Sequence, residues 1–450
     1  MHANRWNQSR LLRQYLVSAL FIGGVFPVVS SHLFGGEKDP IYLNVNPSVV
    51  AEFDNEWCSE SSWETWSRAT GNWNGGRIWL SDRGFTLQPI VTSEVSRVMT
   101  GEIPGESRDT VRHLADLYVT WNLDVALGWS GATVGAHGQW SDGDDASAAT
   151  GDLQGWSNIS TDRDLRQVSE FWFEQGVGQR PGSKDQPLIR VKMGKIDANT
   201  EYDYLPITDQ FINSSAGASP TIYGFPSFPD PAMGIHLGLS PTSWLSVTAG
   251  YMDGSGLENS STGNAGVTPL FKYGMDEHKF YIGQVRGEWP AETFLGLGAG
   301  LIQVGAWYHS GPLSRLNGST ADGTGGFFAQ GQVELWRGQD GRSAAIFVQW
   351  GNADDAINPI AWHQAAGFYW TGMPWKQTDG AGIYWSDVSL SSDPSLGYET
   401  HHETALEIVY DCRIFGWWLL KGDVQYLIDP GGSSQGGDAW IVALRSELSL

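Results

Sequence analysis

Cysteine is almost missing from this chain: Cys58 and Cys412 stand alone among 450 residues, too few and too far apart for a disulfide framework or a zinc site. Charge is also scarce. Asp, Glu, Lys and Arg make up 17% of the residues, where an ordinary soluble domain has roughly 25%. The shortage is on the basic side, with 27 Lys+Arg against 50 Asp+Glu and a formal charge of −23. No basic stripe is available to hold phosphates, which excludes nucleic acid as a partner. Long apolar runs are missing beyond Val29, which excludes a helical membrane protein. Walker loops, zinc spacings and dinucleotide fingerprints are absent too, so no cofactor is expected.

What the chain does contain is aromatic and glycine-rich: 57 Gly, 23 Trp and 15 Tyr, within an apolar content of 41% that is too high for a disordered polymer. Its first residues place Arg5, Arg10 and Arg13 ahead of an apolar run from Tyr15 to Val29, followed by Ser30 and Ser31. This is the pattern of a signal peptide over residues 1–31, so export is expected. A single membrane anchor is the alternative; Pro27 and the shortness of the run argue against it.

From Thr86 onward the apolar pattern has period 2, which puts successive side chains on opposite faces of a strand. Leu117, Val119, Trp121, Leu123 and Val125 alternate with Asp116, Tyr118, Thr120, Asn122 and Asp124. Leu406, Ile408, Tyr410, Cys412 and Ile414 oppose Glu407, Asp411 and Arg413, and Trp440, Val442, Leu444, Leu448 and Leu450 oppose Arg445 and Glu447. About 16 such runs fill residues 86–450. Tight turns such as Pro241-Thr242 and Gly338-Gln339-Asp340-Gly341 alternate with long connections: Asp142 to Leu165, Ala198 to Pro231 and Gly254 to Glu277.

Short turns at one end and long loops at the other describe an outer-membrane barrel. In hydrocarbon every backbone N–H and C=O must find an internal partner, and only a closed sheet leaves no free edge. The expected fold is therefore all-β, a single antiparallel transmembrane β-barrel of about 16 strands with a short irregular or helical segment before it. The wet face then points inward around an aqueous channel, since roughly 16 strands are too many for side chains to fill. Strand-end tryptophans such as Trp129, Trp244, Trp289, Trp336 and Trp350 suit two interfacial girdles. Residues 32–85 do not alternate and are expected to form a periplasmic segment or partial plug, with short helices near 59–66 and 75–82.

At this level of detail the chain resembles the carbohydrate-selective porins of the OprB type. The residues concerned are Asn72-Trp73-Asn74-Gly75-Gly76-Arg77 with Leu80-Ser81-Asp82-Arg83-Gly84-Phe85, then Glu170-Phe171-Trp172-Phe173-Glu174-Gln175, Arg190-Val191-Lys192-Met193-Gly194-Lys195-Ile196-Asp197-Ala198, Phe211-Ile212-Asn213-Ser214-Ser215 and Pro226-Ser227-Phe228-Pro229. Ala329-Gln330-Gly331 with Leu335-Trp336-Arg337, and Gln425-Tyr426-Leu427-Ile428-Asp429-Pro430-Gly431-Gly432, complete the series, which spans roughly Asn72 to Leu450. The chain departs from that family in closing on Leu450 rather than an aromatic residue, and in the acidity of loop residues such as Asp142, Asp144 and Asp145. The resemblance implies passive conduction of small mono- or oligosaccharides across the bacterial outer membrane, in contact with its lipid. A homotrimer is the assembly some porins adopt.

Alternation also locates the chemistry. With Phe171 and Phe173 toward lipid, Glu170, Trp172 and Glu174 face the lumen; with Ile189, Val191 and Met193 outward, so do Arg190 and Lys192. Opposed charges fix side chains and narrow a bore. Charged groups bind sugar hydroxyls, and an aromatic face stacks on the C–H side of the ring. The longest connection, Ala198 to Pro231, is expected to fold into the lumen as a constriction loop, bringing Asp197, Glu201, Asp203, Asp209, Phe211 and Asn213 to the pore. Wall neutralisation and an external lid are the plainer alternatives for the hairpin and the loop. Arg286, Glu288, Glu334, Glu407, Asp411, Arg413, Arg445 and Glu447 form an unranked inward set.

A catalytic triad is not expected, because the histidines are scattered and no nucleophile motif accompanies them. Two other functions compete with the sugar pore: a general or cation-selective porin, and a secreted all-β carbohydrate-binding or hydrolytic protein.

Overall fold

The computed structural model describes residues 62–183, 186–254, 262, 278–291, 298–433 and 436–450. The expected signal peptide, the first part of the 32–85 segment and most of the 254–277 loop lie outside these residues.

Sixteen strands follow one another: β1 Phe85–Thr100, β2 Asp109–Asn122, β3 Ala132–Gly143, β4 Leu165–Val177, β5 Ile189–Ile196, β6 Ala232–Leu239, β7 Leu245–Asp253 and β8 Lys279–Trp289. They continue as β9 Gly300–Ser314, β10 Thr320–Arg337, β11 Ser343–Ala353, β12 Ile360–Met373, β13 Lys376–Leu390, β14 His402–Phe415, β15 Trp418–Ile428 and β16 Ala439–Ser449. Each pairs antiparallel with its neighbours in sequence, and β1 pairs with β16 to close the barrel.

The period-2 pattern sets the two faces. On β14, Leu406 and Ile408 are exposed on the outside while Glu403, Glu407 and Asp411 point in and are covered. Closure itself matches charge, because Glu94 on β1 lies opposite Arg445 on β16, both inward. Trp129, Trp244, Trp336 and Trp350 are exposed at strand ends, where an apolar ring meets a polar edge. Trp289 is more covered and donates from its indole N–H to the Gly298 carbonyl oxygen (3.2 Å).

Three features depart from the alternation. First, β2 stops at Asn122, and Leu123 and Val125 belong to a helix, α2 (Leu123–Leu127), with α1 at Gly76–Ser81 before the barrel. Asn122 ends the strand because its side-chain oxygen accepts from the N–H groups of Asp124 and Val125, and Gly128 closes the helix at φ 71°. Second, loop length is only partly sorted by end: the connections 315–319 and 354–359 are short although they lie at the long-loop end. Third, the inner face is not wet throughout. Inward positions on β8 to β13 include Phe280, Trp307, Phe328, Phe347, Tyr369 and Tyr384, all nearly or fully covered. They form an apolar pad beneath the inserted loop.

The described part of the N-terminal segment runs along the turn end of the barrel. Trp63 packs on Trp417 (ring centroids 4.3 Å) and accepts from its indole N–H through the Trp63 carbonyl. The Ala69 N–H donates to the Ser449 carbonyl (2.8 Å), and Arg77 donates to the backbone of Gly71, Leu87 and Leu450. One buried guanidinium thus ties the segment to the first and last strands.

Candidate functional site

The β4–β5 hairpin and the head of the 198–231 loop make one charge cluster on the lumen wall. Arg190 donates to Glu174 (Nη1–Oε2 3.1 Å) and to Glu201, and Lys192 donates to Glu201 Oε1 at 2.8 Å. Arg190 also donates to His236 Nε2 on β6 (3.0 Å), which leaves His236 Nδ1 to carry the proton toward the Tyr202 hydroxyl oxygen at 2.8 Å. Burial alone would push the Glu201 carboxyl up, but the Arg190 guanidinium and Lys192 ammonium outweigh it and hold it well below the usual carboxylate range. The loop head is therefore anchored through the Glu201 carboxylate, held between Arg190 and Lys192.

A β-bulge sets the upper half of this wall. The register between β3 and β4 passes from His137↔Glu170 to Gly138↔Val168, leaving Ser169 unpaired, so that Ser169 and Glu170 are both covered on the lumen side. Glu170 then accepts from the Trp172 indole (3.0 Å) and from the Asp197 N–H (2.9 Å). Trp172 lies flat on Gly135, where a Cβ would come within 2.2 Å of the ring, and its ring carries the Lys192 ammonium 4.2 Å from a ring centroid. We expect Gly135→Ala to displace the indole and cost about 1–3 kcal/mol as an overpacked site. The check is a lower temperature for loss of the folded barrel's gel mobility; an unchanged temperature would show that the ring has room to move.

Exposure separates the members of this cluster. The Arg190 and Glu174 side chains keep 33% and 20% of their surface, whereas Glu201 keeps 4% and Lys192 6%. Because both strands alternate, the exposed parts of Arg190 and Glu174 face the bore. Trp172, with Gly135 on one side and Lys192 over its ring, has no free face for a sugar, which corrects the stacking role expected for it.

The 198–231 loop bonds to inward-facing side chains of the barrel wall. Asp197 clasps its two ends by accepting from Asn199 N–H (2.9 Å), the Ser227 hydroxyl (2.6 Å) and Phe228 N–H (3.0 Å). From there the loop follows the inner wall round from β8 to β15, where inward side chains receive its backbone. Gln284 and Gln303 donate to the carbonyls of Glu201 and Tyr204 (both 3.1 Å), Gln332 accepts from Ile207 N–H (3.1 Å), and Gln349 donates to the Ala216 carbonyl (2.8 Å). Glu407 accepts from the N–H groups of Ile212 (2.6 Å) and Asn213 (3.2 Å), and Lys421 donates to the carbonyls of Asp209 and Gln210. Each bond satisfies a backbone group that the fold withdraws from bulk water.

Three residues expected at the pore are part of this seating. Phe211 is fully covered, wedged between Phe347, Tyr369 and Tyr384 with ring centroids 5.5–6.3 Å away. Asn213 is fully covered as well; it caps the short helix α3 (Ser214–Gly217) and donates to Gln425 Oε1 at 3.0 Å. Asp203 is buried at a left-handed φ of 52° and accepts from Ser219 N–H at 2.6 Å. None of the three has a side chain free for solute, because the loop packs its apolar and turn-forming residues against the wall. Asp209 stays partly exposed and accepts from the Tyr204 hydroxyl (2.6 Å).

A second inserted loop was not anticipated. Residues 144–164 also turn inward, pinned by a fully buried triad in which Arg112 and Arg445 both donate to Glu94 (2.5 and 2.9 Å). Ser157 donates to the same carboxylate (2.9 Å), Arg445 reaches Asn158 Oδ1 (2.8 Å), and Arg112 lies over the fully covered Trp156 ring at 4.9 Å. The two loops meet: Asn158 N–H donates to the Ile212 carbonyl (2.8 Å) and Ser214 N–H to the Gly155 carbonyl (2.7 Å). The available signal was Trp156, with Leu153 and Ile159 the large apolar residues of a mostly polar connection. Of the inward set, Arg445 and Glu407 therefore hold loops, while Arg286 and Glu288 pair with each other near the turn end (2.5 Å).

A closed sixteen-stranded barrel with a charged lumen wall, narrowed by loops folded inside it, defines a porin. The sequence model of the carbohydrate-selective porin, OprB family, matches residues 109–450, and the chain belongs to that family. Among solved structures, the high-pH form of Pseudomonas putida OprB superposes with a TM-score of 0.75 at 16% identity, covering 87% of this chain and 100% of that one. Its low-pH form gives 0.51 at 14% identity, covering 86% and 99%. At these identities the likeness is one of fold. No curated protein sequence matches the chain.

Proposed function

We propose that this porin passes small neutral sugars by diffusion, and that Arg190 and Glu174 are the groups that touch them. The observation carrying this reading is the side-by-side placement of a guanidinium and a carboxylate, 3.1 Å apart and both partly open to the lumen. Together they offer N–H donors and oxygen acceptors at one point, the complement of a sugar hydroxyl, which both donates and accepts. Their charges offset each other, so a neutral polar solute meets bonding groups without the net field that would draw in one sign of ion. The pinned loop keeps the bore narrow without a conformational step.

Single-channel recording in a planar bilayer tests this. Neutral monosaccharides are expected to reduce the ionic current in a saturable way. An absence of block across several mono- and disaccharides would return the general or cation-selective porin. The outer face of the barrel, apolar and ringed with tryptophan, supports residence in outer-membrane lipid. Wall, loops and charge cluster all come from one chain, so each barrel of a homotrimer would conduct by itself.

A further inference from the structure

At the turn end of β1 to β3 the barrel carries apolar side chains that none of the described residues covers. Helix α1 presents Ile78 and Trp79, and helix α2 with the residues after it presents Val125, Leu127 and Trp129. Their exposure runs from 47% at Ile78 to 66% at Leu127, the range of a belt residue such as Ile302 at 55%. Exposed apolar surface of this size at one place marks a contact with something other than water.

The two helices are joined. The Asn122 N–H donates to the Gly84 carbonyl (2.8 Å), and a Cβ on Gly84 would stand 3.4 Å from Val125 Cβ. Their patch is continuous with the outward belt: Trp129 packs on the outward Phe173 (ring centroids 5.5 Å), and Phe85 stacks on Trp121 directly below (5.1 Å). Arg83 lays its guanidinium 4.2 Å from the Trp79 ring centroid, while Asp82 and Asp124 are exposed beside the apolar side chains. Apolar rings edged by an arginine are the composition of a surface lying at a headgroup boundary.

We propose that α1 and α2 form a collar embedded in the periplasmic headgroup–acyl boundary, extending the lipid contact of the barrel on the β1–β3 sector. The occupant of the patch is lipid, and the reason for choosing it is continuity with the belt. The proposal rests on the porin reading, and the experiment separates the two.

In a Cys58→Ser, Cys412→Ser background, spin labels are placed by Ile78→Cys and Leu127→Cys on the collar, Ile302→Cys on the belt and Asp145→Cys at the exposed start of the 144–164 loop. Each variant is first shown to fold by its heat-modifiable gel mobility and is then reconstituted in phospholipid vesicles. Collisional accessibility to oxygen and to a neutral nickel chelate is measured. The collar labels are expected to resemble the Ile302 label, with nickel accessibility several-fold below that of Asp145. Nickel accessibility equal to that of Asp145 would put the collar in water and overturn the proposal. Low accessibility to both probes would show a protein covering the patch, which overturns it equally. A water-accessible Ile302 label would instead refute the membrane-barrel reading itself.

Discussion

Arg190→Ala is expected to weaken sugar block of the channel current by roughly ten- to a hundred-fold, the equivalent of losing charge-assisted hydrogen bonds of about 1.5–3 kcal/mol. The guanidinium is the more exposed half of the lumen pair and donates at once to Glu174, Glu201 and His236. Its loss leaves the loop head seated, because Lys192 still pairs with Glu201 at 2.8 Å. It should also shift the ion preference toward cations, since one positive charge leaves the wall while both carboxylates remain. Glu174→Ala should weaken block similarly but move ion preference the other way. Arg190→Lys, which keeps the charge without the planar fork, should fall between wild type and alanine. The reference is Asp144→Ala, exposed at the rim where the 144–164 loop leaves β3 and expected to change block less than twofold. Equal effects at all three positions would refute the placement of the sugar contact.

The second large effect is predicted at a residue that touches no solute. Phe211→Ala removes a fully covered ring from a pocket of Phe347, Tyr369 and Tyr384, a change that costs about 3–5 kcal/mol in well-packed cores. The barrel does not depend on that ring for its strand pairing, so the loss falls on the seating of the 198–231 loop. Glu407, Gln332 and Gln349 still hold neighbouring backbone, but the middle of the loop loses its peg. Expected results are a noisier open channel and faster entry of oligosaccharides in liposome-swelling assays, with larger effects when Glu407→Gln is added. If the size limit and current noise of Phe211→Ala match wild type, the loop is held by its polar bonds alone and the apolar pad has no part in fixing the bore.

Much of this design was legible in the sequence. The strand pattern, the alternating faces of β4 from Glu170 to Glu174 and of β5, and the shared lumen face of Arg190 and Glu174 all follow from period-2 alternation, which is a local property of the chain. So does the expectation that a connection as long as Ala198 to Pro231 must dock somewhere. What alternation could not reveal is who shares a pocket. Phe211 and Asn213 read as pore residues because they stand in a polar loop, yet they face a wall more than a hundred residues away in sequence. Trp172 read as a stacking platform, yet the missing side chain of Gly135 on the next strand gives it a place to lie down. The bulge at Ser169 brings Ser169 to the lumen side beside Glu170, and with it Gln167 and Leu165, through a register shift that only the partner strand defines.

The sequence by itself therefore determined the kind of object this is: a closed sheet, oily outside and polar within, with acidic and basic side chains facing each other across one hairpin. These features depend on spacing between near neighbours, and spacing is written in the chain. The tertiary structure alone decided which charges stay open to the bore and which serve as fasteners for two inserted loops. Exposure and partnership depend on residues brought together across the whole barrel, and a buried carboxylate is indistinguishable from a pore-lining one until its partners are in place.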